Sequence, residues 1–358
     1  MPRESAPQEI VDLAEARATA RRARDWATAD ELKAAIEAAG WKVIDAASLY
    51  TLERAAPPDV EEGTRVRYGS SASVPSRLDE AATGLATIVL VATDDLDDVA
   101  RAIRSIVEHA PDGTQLVVVA NAPDEAQTAA LADLDAVDPG APGVMTEVLW
   151  TSVRVGVAAA WNAGIRRAIA PVVVLVGPGT ELRQDVVGPI VAALDDETVA
   201  VAGPVGLVTE DLRRFDEAGG DVTEVDAIGG AVLGFRRADY TARGPLDEHF
   251  VVADSLDAWW SLVLRDPWLA DDAVGDDGPE GDADIVVDLA NLPAPRRAVR
   301  VVADVVRHEP AHEAPLRARL AKKNFYRLLK GYATRRDLLV HRRDDTPAPT
   351  TDDGHRRP

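Results

Sequence analysis

Residues 171–182 read Pro-Val-Val-Val-Leu-Val-Gly-Pro-Gly-Thr-Glu-Leu, and this stretch decides the fold class. Val172–Val176 is an unbroken apolar run of strand length, which is typical of a strand buried on both faces. Thr87–Ala92 and Gln115–Ala120 have the same character, and all three runs alternate with helix-like segments. The alternation predicts an α/β fold with a mostly parallel sheet and helices on both faces. Ligands of such sheets bind beyond the carboxyl ends of the strands, so we expect the site just after these runs.

The 358-residue chain is acidic, with a formal net charge of −22, and 46% of its residues are hydrophobic. That hydrophobic fraction supports a large folded core. The absence of cysteine excludes disulfides, thiolate metal sites and cysteine nucleophiles, and it fits a reducing compartment. The first residues lack a signal-peptide core and the apolar runs are strand-length. We therefore expect a cytoplasmic protein without a transmembrane helix.

Charge is distributed unevenly along the chain. Asp271–Asp288 is strongly acidic, whereas residues 317–343 are rich in lysine and arginine. The acidity of the whole chain argues against nucleic acid as its main partner. The basic segment indicates a local anionic partner, and peripheral contact with the inner face of the membrane is one interpretation. A plain solvated helix is the other.

The pattern predicts five parts. Residues 1–55 are a helical hairpin module, residues 56–84 a linker, and residues 85–312 the α/β domain with an acidic loop at 270–288. Residues 313–343 are a basic helical region and residues 344–358 a disordered tail. In the first part, Arg-Arg-Ala-Arg-Asp-Trp-Ala-Thr-Ala-Asp-Glu-Leu-Lys at 21–33 leads to Gly-Trp-Lys-Val-Ile-Asp at 40–45. These residues are similar to the small C-terminal helical module of cysteinyl-tRNA synthetases. The resemblance implies RNA contact, and a purely structural hairpin is the alternative.

Two other stretches carry a second resemblance. Residues 154–164 read Arg-Val-Gly-Val-Ala-Ala-Ala-Trp-Asn-Ala-Gly, and Leu-Gly-Phe-Arg-Arg-Ala-Asp-Tyr at 233–240 precedes Gly-Pro-Leu-Asp-Glu-His-Phe at 244–250. They resemble the Asn-x-Gly-x-x-x-Ala-x-Asn-x-Gly box and the acceptor-side segment of glycosyltransferase family 2. The resemblance covers about residues 86–266 and implies the GT-A fold of nucleotide-diphospho-sugar transferases. It also implies a nucleotide-sugar donor and a glycan or lipid-linked acceptor, such as a cell-envelope glycan.

The family resemblance assigns the nucleotide contacts. Thr93 and Asp94 fall where the family touches the base, and Asn121 follows the strand that in the family ends in an aspartate. In the box, Gly156 lets the helix approach the nucleotide and Asn162 supplies an amide beside it. Each position has a structural alternative, because aspartates after a strand often cap the next helix and small residues permit tight packing.

The metal site of the family is altered in this sequence. Family 2 enzymes end the strand that matches 172–176 in Asp-x-Asp, which holds Mg²⁺ or Mn²⁺ against the departing nucleoside diphosphate. Here those positions are Gly177 and Gly179, which offer only backbone carbonyls. Glu181 and His308 remain as candidate ligands, with a turn residue and a polar neighbour as the alternatives. The expected cofactor is therefore Mg²⁺ or Mn²⁺, or none.

The catalytic base of the family is altered as well. Inverting family members use an aspartate that takes the proton from the acceptor hydroxyl, and that position is Ser255 here. Asp254 and Asp257 flank it, and either is a candidate base. Their alternative role is at the start of the tryptophan-rich helix that follows, where carboxylates are favoured by the helix dipole.

The chain therefore lacks four acids that family 2 enzymes usually carry. Their positions here are Ala120, Gly177, Gly179 and Ser255. The sequence therefore predicts a glycosyltransferase-like protein, inverting if active, with a divergent metal site. A catalytically silent GT-A scaffold that acts as a binding or assembly protein is the second interpretation. An RNA-associated protein that uses the N-terminal module is the third.

Overall fold

The computed structural model describes residues 6–46, 49–55, 57–92, 95–135, 143–269, 294–308 and 315–340. They form two compact units. The smaller unit contains the described residues up to Val74 together with Trp150–Arg154, and the larger unit contains all others. The predicted acidic loop at 270–288 and the predicted tail at 344–358 lie outside the described residues.

The smaller unit begins with the predicted helical hairpin and continues into two β-hairpins. Its elements, in chain order, are α1 (Gln8–Arg22), α2 (Trp26–Ala38), β1 (Trp41–Ala46), β2 (Leu49–Arg54), β3 (Val60–Glu62) and β4 (Arg65–Tyr68). Asp25 caps α2 by accepting from the Thr28 N–H at 3.2 Å and from the Thr28 hydroxyl at 2.7 Å. Antiparallel pairing joins β1 to β2 and β3 to β4.

The smaller unit has its own core and its own ion pair. Ile10 and Ala14 of α1, Ile36 of α2 and Trp41 of β1 are buried together. Arg17 donates to both carboxylate oxygens of Asp45, at 2.8 and 2.9 Å, and this hydrogen bonding lowers the pKa of Asp45 to about 2.

Strands β3 and β4 lie inside the span 56–84 that the sequence predicted as a linker. They form because β4 pairs in parallel with Trp150 and Thr151. In addition, the Arg65 guanidinium lies 3.9 Å from the centre of the Trp150 ring, a cation–π contact that covers the strand.

The larger unit alternates strands and helices. Its strands are β5 (Ala86–Ala92), β6 (Thr114–Ala120), β7 (Met145–Thr151, whose last two residues belong to the smaller unit), β8 (Val172–Val176), β9 (Thr180–Leu182), β10 (Val199–Gly203), β11 (Gly206–Val208), β12 (Asp216–Glu217), β13 (Glu224–Val225), β14 (Ala227–Ile228), β15 (Val232–Arg236), β16 (Arg297–Arg300) and β17 (Val305–Arg307). Its helices are α3 (Leu96–His109), α4 (Glu125–Asp135), α5 (Val157–Ile165), α6 (Val187–Leu194), α7 (Arg237–Arg243), α8 (Leu256–Arg265) and α9 (Pro315–Tyr332). Single 3₁₀ turns lie at Pro267–Leu269 and Arg336–Leu338.

The main sheet of the larger unit runs in the order β13-β16-β10-β15-β8-β5-β6-β7. Pairing is parallel between β5 and both β6 and β8, and between β10 and β16, whereas β15 is antiparallel to its two neighbours. Every residue of β5, β6, β8 and β10 is buried. Because successive side chains point to opposite faces, both faces of these strands are covered. The predicted α/β class with a mostly parallel, doubly covered sheet is confirmed.

Small residues bring the helices close to this sheet. A Cβ atom on Gly164 of α5 would lie 2.3 Å from a methyl carbon of Val89 in β5. A Cβ atom on Gly234 of β15 would lie equally close to Ile190 of α6. Gly164, the last residue of the stretch 154–164 that resembles the family's box, therefore serves helix–sheet packing. Each helix within the described part of the chain is too short or too polar to cross a bilayer.

Candidate functional site

The loop after β8, Gly177–Gly179, is closed by backbone. We call it the glycine loop. The Gly177 N–H donates to the Ala231 carbonyl at 2.9 Å, and the His308 N–H donates to the Gly179 carbonyl at 2.8 Å. A Cβ atom on Gly179 would lie 2.4 Å from the His308 carbonyl oxygen, and one on Gly177 would lie 2.9 Å from the Gly230 carbonyl oxygen. The two positions therefore lack both the acids and the space for them.

Antiparallel pairing of β17 with β9 brings the two predicted metal ligands together. His308 Nε2 lies 3.0 Å from Glu181 Oε2, and Arg183 lies 3.3 Å from the other oxygen of the same carboxylate. The hydrogen bond from His308, supported by the charge of Arg183, lowers the pKa of the Glu181 carboxyl. Glu181 is thus engaged as an ion-pair partner. The alternative interpretation of Glu181, as a turn residue, is wrong, because it lies in strand β9.

The donor set at this edge does not fit a divalent cation. Within the described ranges, no three His, Asp or Glu side chains are grouped so that they could hold a metal ion. Glu181 and His308 form a pair whose facing atoms bond each other, and an arginine occupies the remaining carboxylate oxygen. A hard cation requires several oxygen ligands, so these residues alone do not make an Mg²⁺ or Mn²⁺ site.

Asp257 lies beside the glycine loop and is half-buried. Its Oδ2 accepts from the Gly230 N–H at 2.7 Å, and its Oδ1 accepts from the Ala258 N–H at 2.8 Å. Burial raises the pKa of the Asp257 carboxyl, although the two N–H donors oppose that shift. This contact joins the start of α8 to the Gly230–Ala231 backbone that also closes the glycine loop.

Asp254 contacts a different element. Arg317 of α9 donates to its Oδ2 at 3.3 Å, and 29% of the Asp254 side chain is exposed. The next residue, Ser255, has φ of +63°, a left-handed conformation that is uncommon outside glycine. Asn324 of α9 is buried and donates to the carbonyls of Val252 and Asp254, at 2.8 and 2.9 Å. The C-terminal helix therefore holds the turn that carries this candidate base.

Asn162 is fully engaged within the protein. Its Nδ2 donates to the Leu246 carbonyl at 2.9 Å and to Glu248 Oε1 at 3.0 Å. Its Oδ1 accepts from the Tyr240 hydroxyl and from the Leu246 N–H, both at 3.0 Å. Burial also raises the pKa of the Tyr240 hydroxyl. The amide that the resemblance assigns to the nucleotide thus joins α5 to the 244–250 segment.

The start of α5 is covered in the same way. The Val157 and Ala158 N–H groups donate to the carbonyls of Val251 and Phe250, at 3.0 and 3.2 Å. A Cβ atom on Gly156 would lie 3.0 Å from Val251 Cα, so this glycine permits the close approach. Asn121 exchanges two hydrogen bonds of 2.9 Å with the backbone of Val155, just before the helix.

The nucleotide contacts predicted from the sequence stay predictions. Thr93 and Asp94 lie outside the described residues. Their neighbour Asp95 caps α3 by accepting from the N–H groups of Asp97 and Asp98, both at 3.0 Å.

Sequence reasoning missed the residues that hold the candidate site in place. Asn324 has a signal in the sequence, because a polar residue stands between Leu320 and Leu328 in the apolar stripe of α9. The partners of Asn162 have none, since Tyr240 and Glu248 are remote in sequence and polar residues at such positions are common.

No family model matches the chain. A cysteine–tRNA ligase from Opitutus terrae is 46% identical over 54 residues, which are 15% of this chain and 12% of the ligase. The chain therefore spans about an eighth of the length of this curated relative. The resemblance to such a ligase predicted from the sequence rests on residues 21–33 and 40–45, a shorter stretch than this match.

Solved structures similar to the chain include glycosyltransferases. GalNAc-T7, in a crystal structure with UDP, GalNAc and Mn²⁺, is 12% identical with a TM-score of 0.49, over 70% of this chain and 49% of that one. Mannosyltransferase PcManGT from Pyrobaculum calidifontis, in complex with GDP-Man and Mn²⁺, is 15% identical with a TM-score of 0.40, over 54% of this chain and 55% of that one. The chain spans about half the length of each. At TM-scores below 0.5, neither similarity assigns an activity to it.

Proposed function

We propose that the protein is a glycosyltransferase-like enzyme of the cytoplasm that transfers a sugar from a nucleotide-sugar to a glycan or lipid-linked acceptor. The observation that carries the proposal is the 2.7 Å hydrogen bond from the Gly230 N–H to Asp257. It joins the start of α8, the region to which the resemblance assigns the catalytic base, to the backbone that closes the loop after β8. The regions that the resemblance assigns to the base and to the metal thus meet at the sheet edge where ligands of α/β folds bind.

In this proposal Asp254 is the base and Asp257 is a positioning residue. Both oxygens of Asp257 accept from backbone N–H groups, whereas the Asp254 carboxylate is partly exposed and pairs with a side chain of α9, Arg317. The acceptor hydroxyl loses its proton to Asp254 and attacks the anomeric carbon. The bond from that carbon to the nucleoside diphosphate breaks, and the configuration inverts. A positioned base of this kind contributes about 10²–10⁴ in rate.

We derive no step through a metal ion. The glycine loop has no space for the aspartate pair, and Glu181 is bonded to His308 and Arg183. We therefore propose a divergent site, in which donor binding does not use an Asp-x-Asp metal clamp.

The first test is donor binding, measured by calorimetry with UDP- and GDP-sugars in the presence and absence of Mn²⁺. We expect binding of at least one donor. Failure to bind any donor under either condition would contradict the proposal.

The second test is transfer by Asp254→Asn. We expect the rate to fall about 10²–10⁴-fold with donor affinity unchanged. Asp216→Asn, an exposed aspartate of β12, is the matched control and should keep full activity. Equal activity of Asp254→Asn and the control would remove Asp254 from the mechanism.

The second candidate function is a catalytically silent scaffold that acts as a binding or assembly protein. The closure of the glycine loop and the four internal hydrogen bonds of Asn162 favour it, because both fill positions that the family uses for ligands. Nucleotide binding without transfer or hydrolysis, for any acceptor tried, would support this function.

A third candidate, RNA association, rests on the 54-residue similarity to a cysteine–tRNA ligase. A tRNA shift assay at physiological salt tests it, and deletion of residues 1–55 must abolish the shift.

A further inference from the structure

Helix α9 presents two different faces. Its inner face packs into the larger unit through Asn324, Leu328 and Tyr332, all of which are buried. Two of its arginines pair with carboxylates of that unit: Arg317 with Asp254 and Arg327 with Asp247. These contacts fix the orientation of the helix on the larger unit and therefore determine which of its residues form the exposed outer face.

The outer face carries four exposed cations: Arg319, Lys322, Lys323 and Lys330. Arg319, Lys323, Tyr326 and Lys330 follow helical spacing, so they lie on one side over about 16 Å. Tyr326 stands among the cations with 58% of its surface exposed. Helix α9 contains no acidic residue. Among the residues that the structure describes, the four cations have no ion-pair partner.

Repulsion among these four cations is unfavourable, and an anionic partner outside the protein would relieve it. Like charges at this spacing repel each other and here receive no compensation within the described chain. The cluster is a local exception in a chain of net charge −22. An exposed tyrosine among cations combines an apolar ring with a polar tip, which suits the headgroup layer of a bilayer.

We propose that the outer face of α9 docks the protein on a bilayer of anionic phospholipids. The contact is superficial, because the apolar side of the helix is already buried in the protein and cannot insert. Attraction between lysine or arginine and anionic headgroups falls off within a Debye length, so binding weakens as salt rises. This inference does not depend on the proposed sugar transfer.

A bilayer fits this face better than nucleic acid does. Lipid headgroups rearrange beneath a short cationic surface. A polynucleotide extends its phosphates along a track much longer than 16 Å, and the chain as a whole has a formal net charge of −22. Nucleic acid is therefore an outcome of the test rather than part of the proposal.

The test is co-sedimentation of the full chain with vesicles of phosphatidylglycerol and phosphatidylcholine, and with vesicles of phosphatidylcholine alone. We expect binding to the anionic vesicles only, and loss of binding in high salt. The variant Arg319→Gln, Lys322→Gln, Lys323→Gln, Lys330→Gln should bind at least about tenfold more weakly, since each basic residue near the surface contributes roughly fivefold.

The matched control removes the same charge elsewhere: Lys42→Gln, Arg104→Gln, Arg213→Gln, Arg214→Gln, all at exposed positions outside α9. It should bind vesicles like the wild type, and both variants should melt at the wild-type temperature. Absence of vesicle binding by the wild type, or equal loss in the control, would overturn the proposal. Labelled RNA that competes the protein off the vesicles through the same four residues would also overturn it and assign the face to nucleic acid.

Discussion

Two regions of the larger unit were singled out by the same family resemblance and differ in how they are held. The 244–250 segment matches the family and is held by a side chain, the Asn162 amide. The glycine loop departs from the family and is held by backbone, through the carbonyls of Ala231 and Gly179. The segment that resembles the family is anchored by a buried polar network, and the loop that differs from the family has no room for a side chain.

The difference shows that similarity to the family in sequence can have a structural cause. Asn162 is the residue most similar to the family, and all four of its hydrogen bonds serve the connection between α5 and the 244–250 segment. These bonds give the Asn162 side chain a role in the fold, whether or not a nucleotide binds. At Gly179, where the family has an acid, the backbone packs closely against His308. Sequence similarity here follows the scaffold more closely than it follows the chemistry.

The largest expected effect is at the anchored region. Asn162→Ala removes four hydrogen bonds and leaves the buried Tyr240 hydroxyl and the Leu246 N–H without an acceptor, so we expect a loss of about 3 kcal/mol in the free energy of unfolding. Chemical denaturation measures it. Asn121→Ala is the control, because that amide is half-buried and exchanges two bonds with the backbone of Val155, and it should cost about 1 kcal/mol. Equal losses in the two variants would mean that the hydrogen bonds of Asn162 stabilise the fold no more than those of Asn121 do.

The sequence predicted the strands well and the site only in part. β5, β6 and β8 were predictable because unbroken apolar runs have no other stable place than a covered sheet. Near the end of the larger unit, the chain forms two short strands, β16 and β17, and only the second pairs with β9.

That pairing creates the Glu181–His308 contact between residues 127 positions apart. The contact follows from packing over a long sequence separation, and local patterns carry no information about it. The same reason hid the role of Asn324, whose bonds reach back 70 and 72 residues.

The second prediction concerns the glycine loop. Gly179→Ala places a Cβ atom 2.4 Å from a backbone oxygen of His308, and backbone gives way less easily than a flexible side chain. We expect destabilisation of about 2 kcal/mol by chemical denaturation. Gly219→Ala is the control, because a Cβ atom there meets nothing within 4 Å, and it should stay within about 0.5 kcal/mol of wild type.

Restoring the family residue sharpens this test. Gly179→Asp should be destabilised at least as much as Gly179→Ala, and Mn²⁺ should not raise its melting temperature. Stabilisation of Gly179→Asp by Mn²⁺ would show that the loop can reopen around a metal ion, which contradicts the closure described above.

The smallest expected effect tests the charged contact of Glu181 with His308 and Arg183, beside the glycine loop. The bonds from His308 and Arg183 lower the folded-state pKa of Glu181 below its ordinary value of 4.5. An acid with a lowered folded-state pKa contributes stability above its ordinary pKa, and that stability is lost as pH falls through the lowered value. Glu181→Gln should therefore lower the melting temperature by roughly 1–2 °C at neutral pH, and the difference from wild type should vanish in acid well below pH 4.5. Glu217→Gln, at an exposed position of β12, should show no difference at either pH. A deficit of Glu181→Gln that persists unchanged into acid would mean that the carboxylate acts through packing and not through its charge, and the contact would then resemble the uncharged backbone closure of the glycine loop.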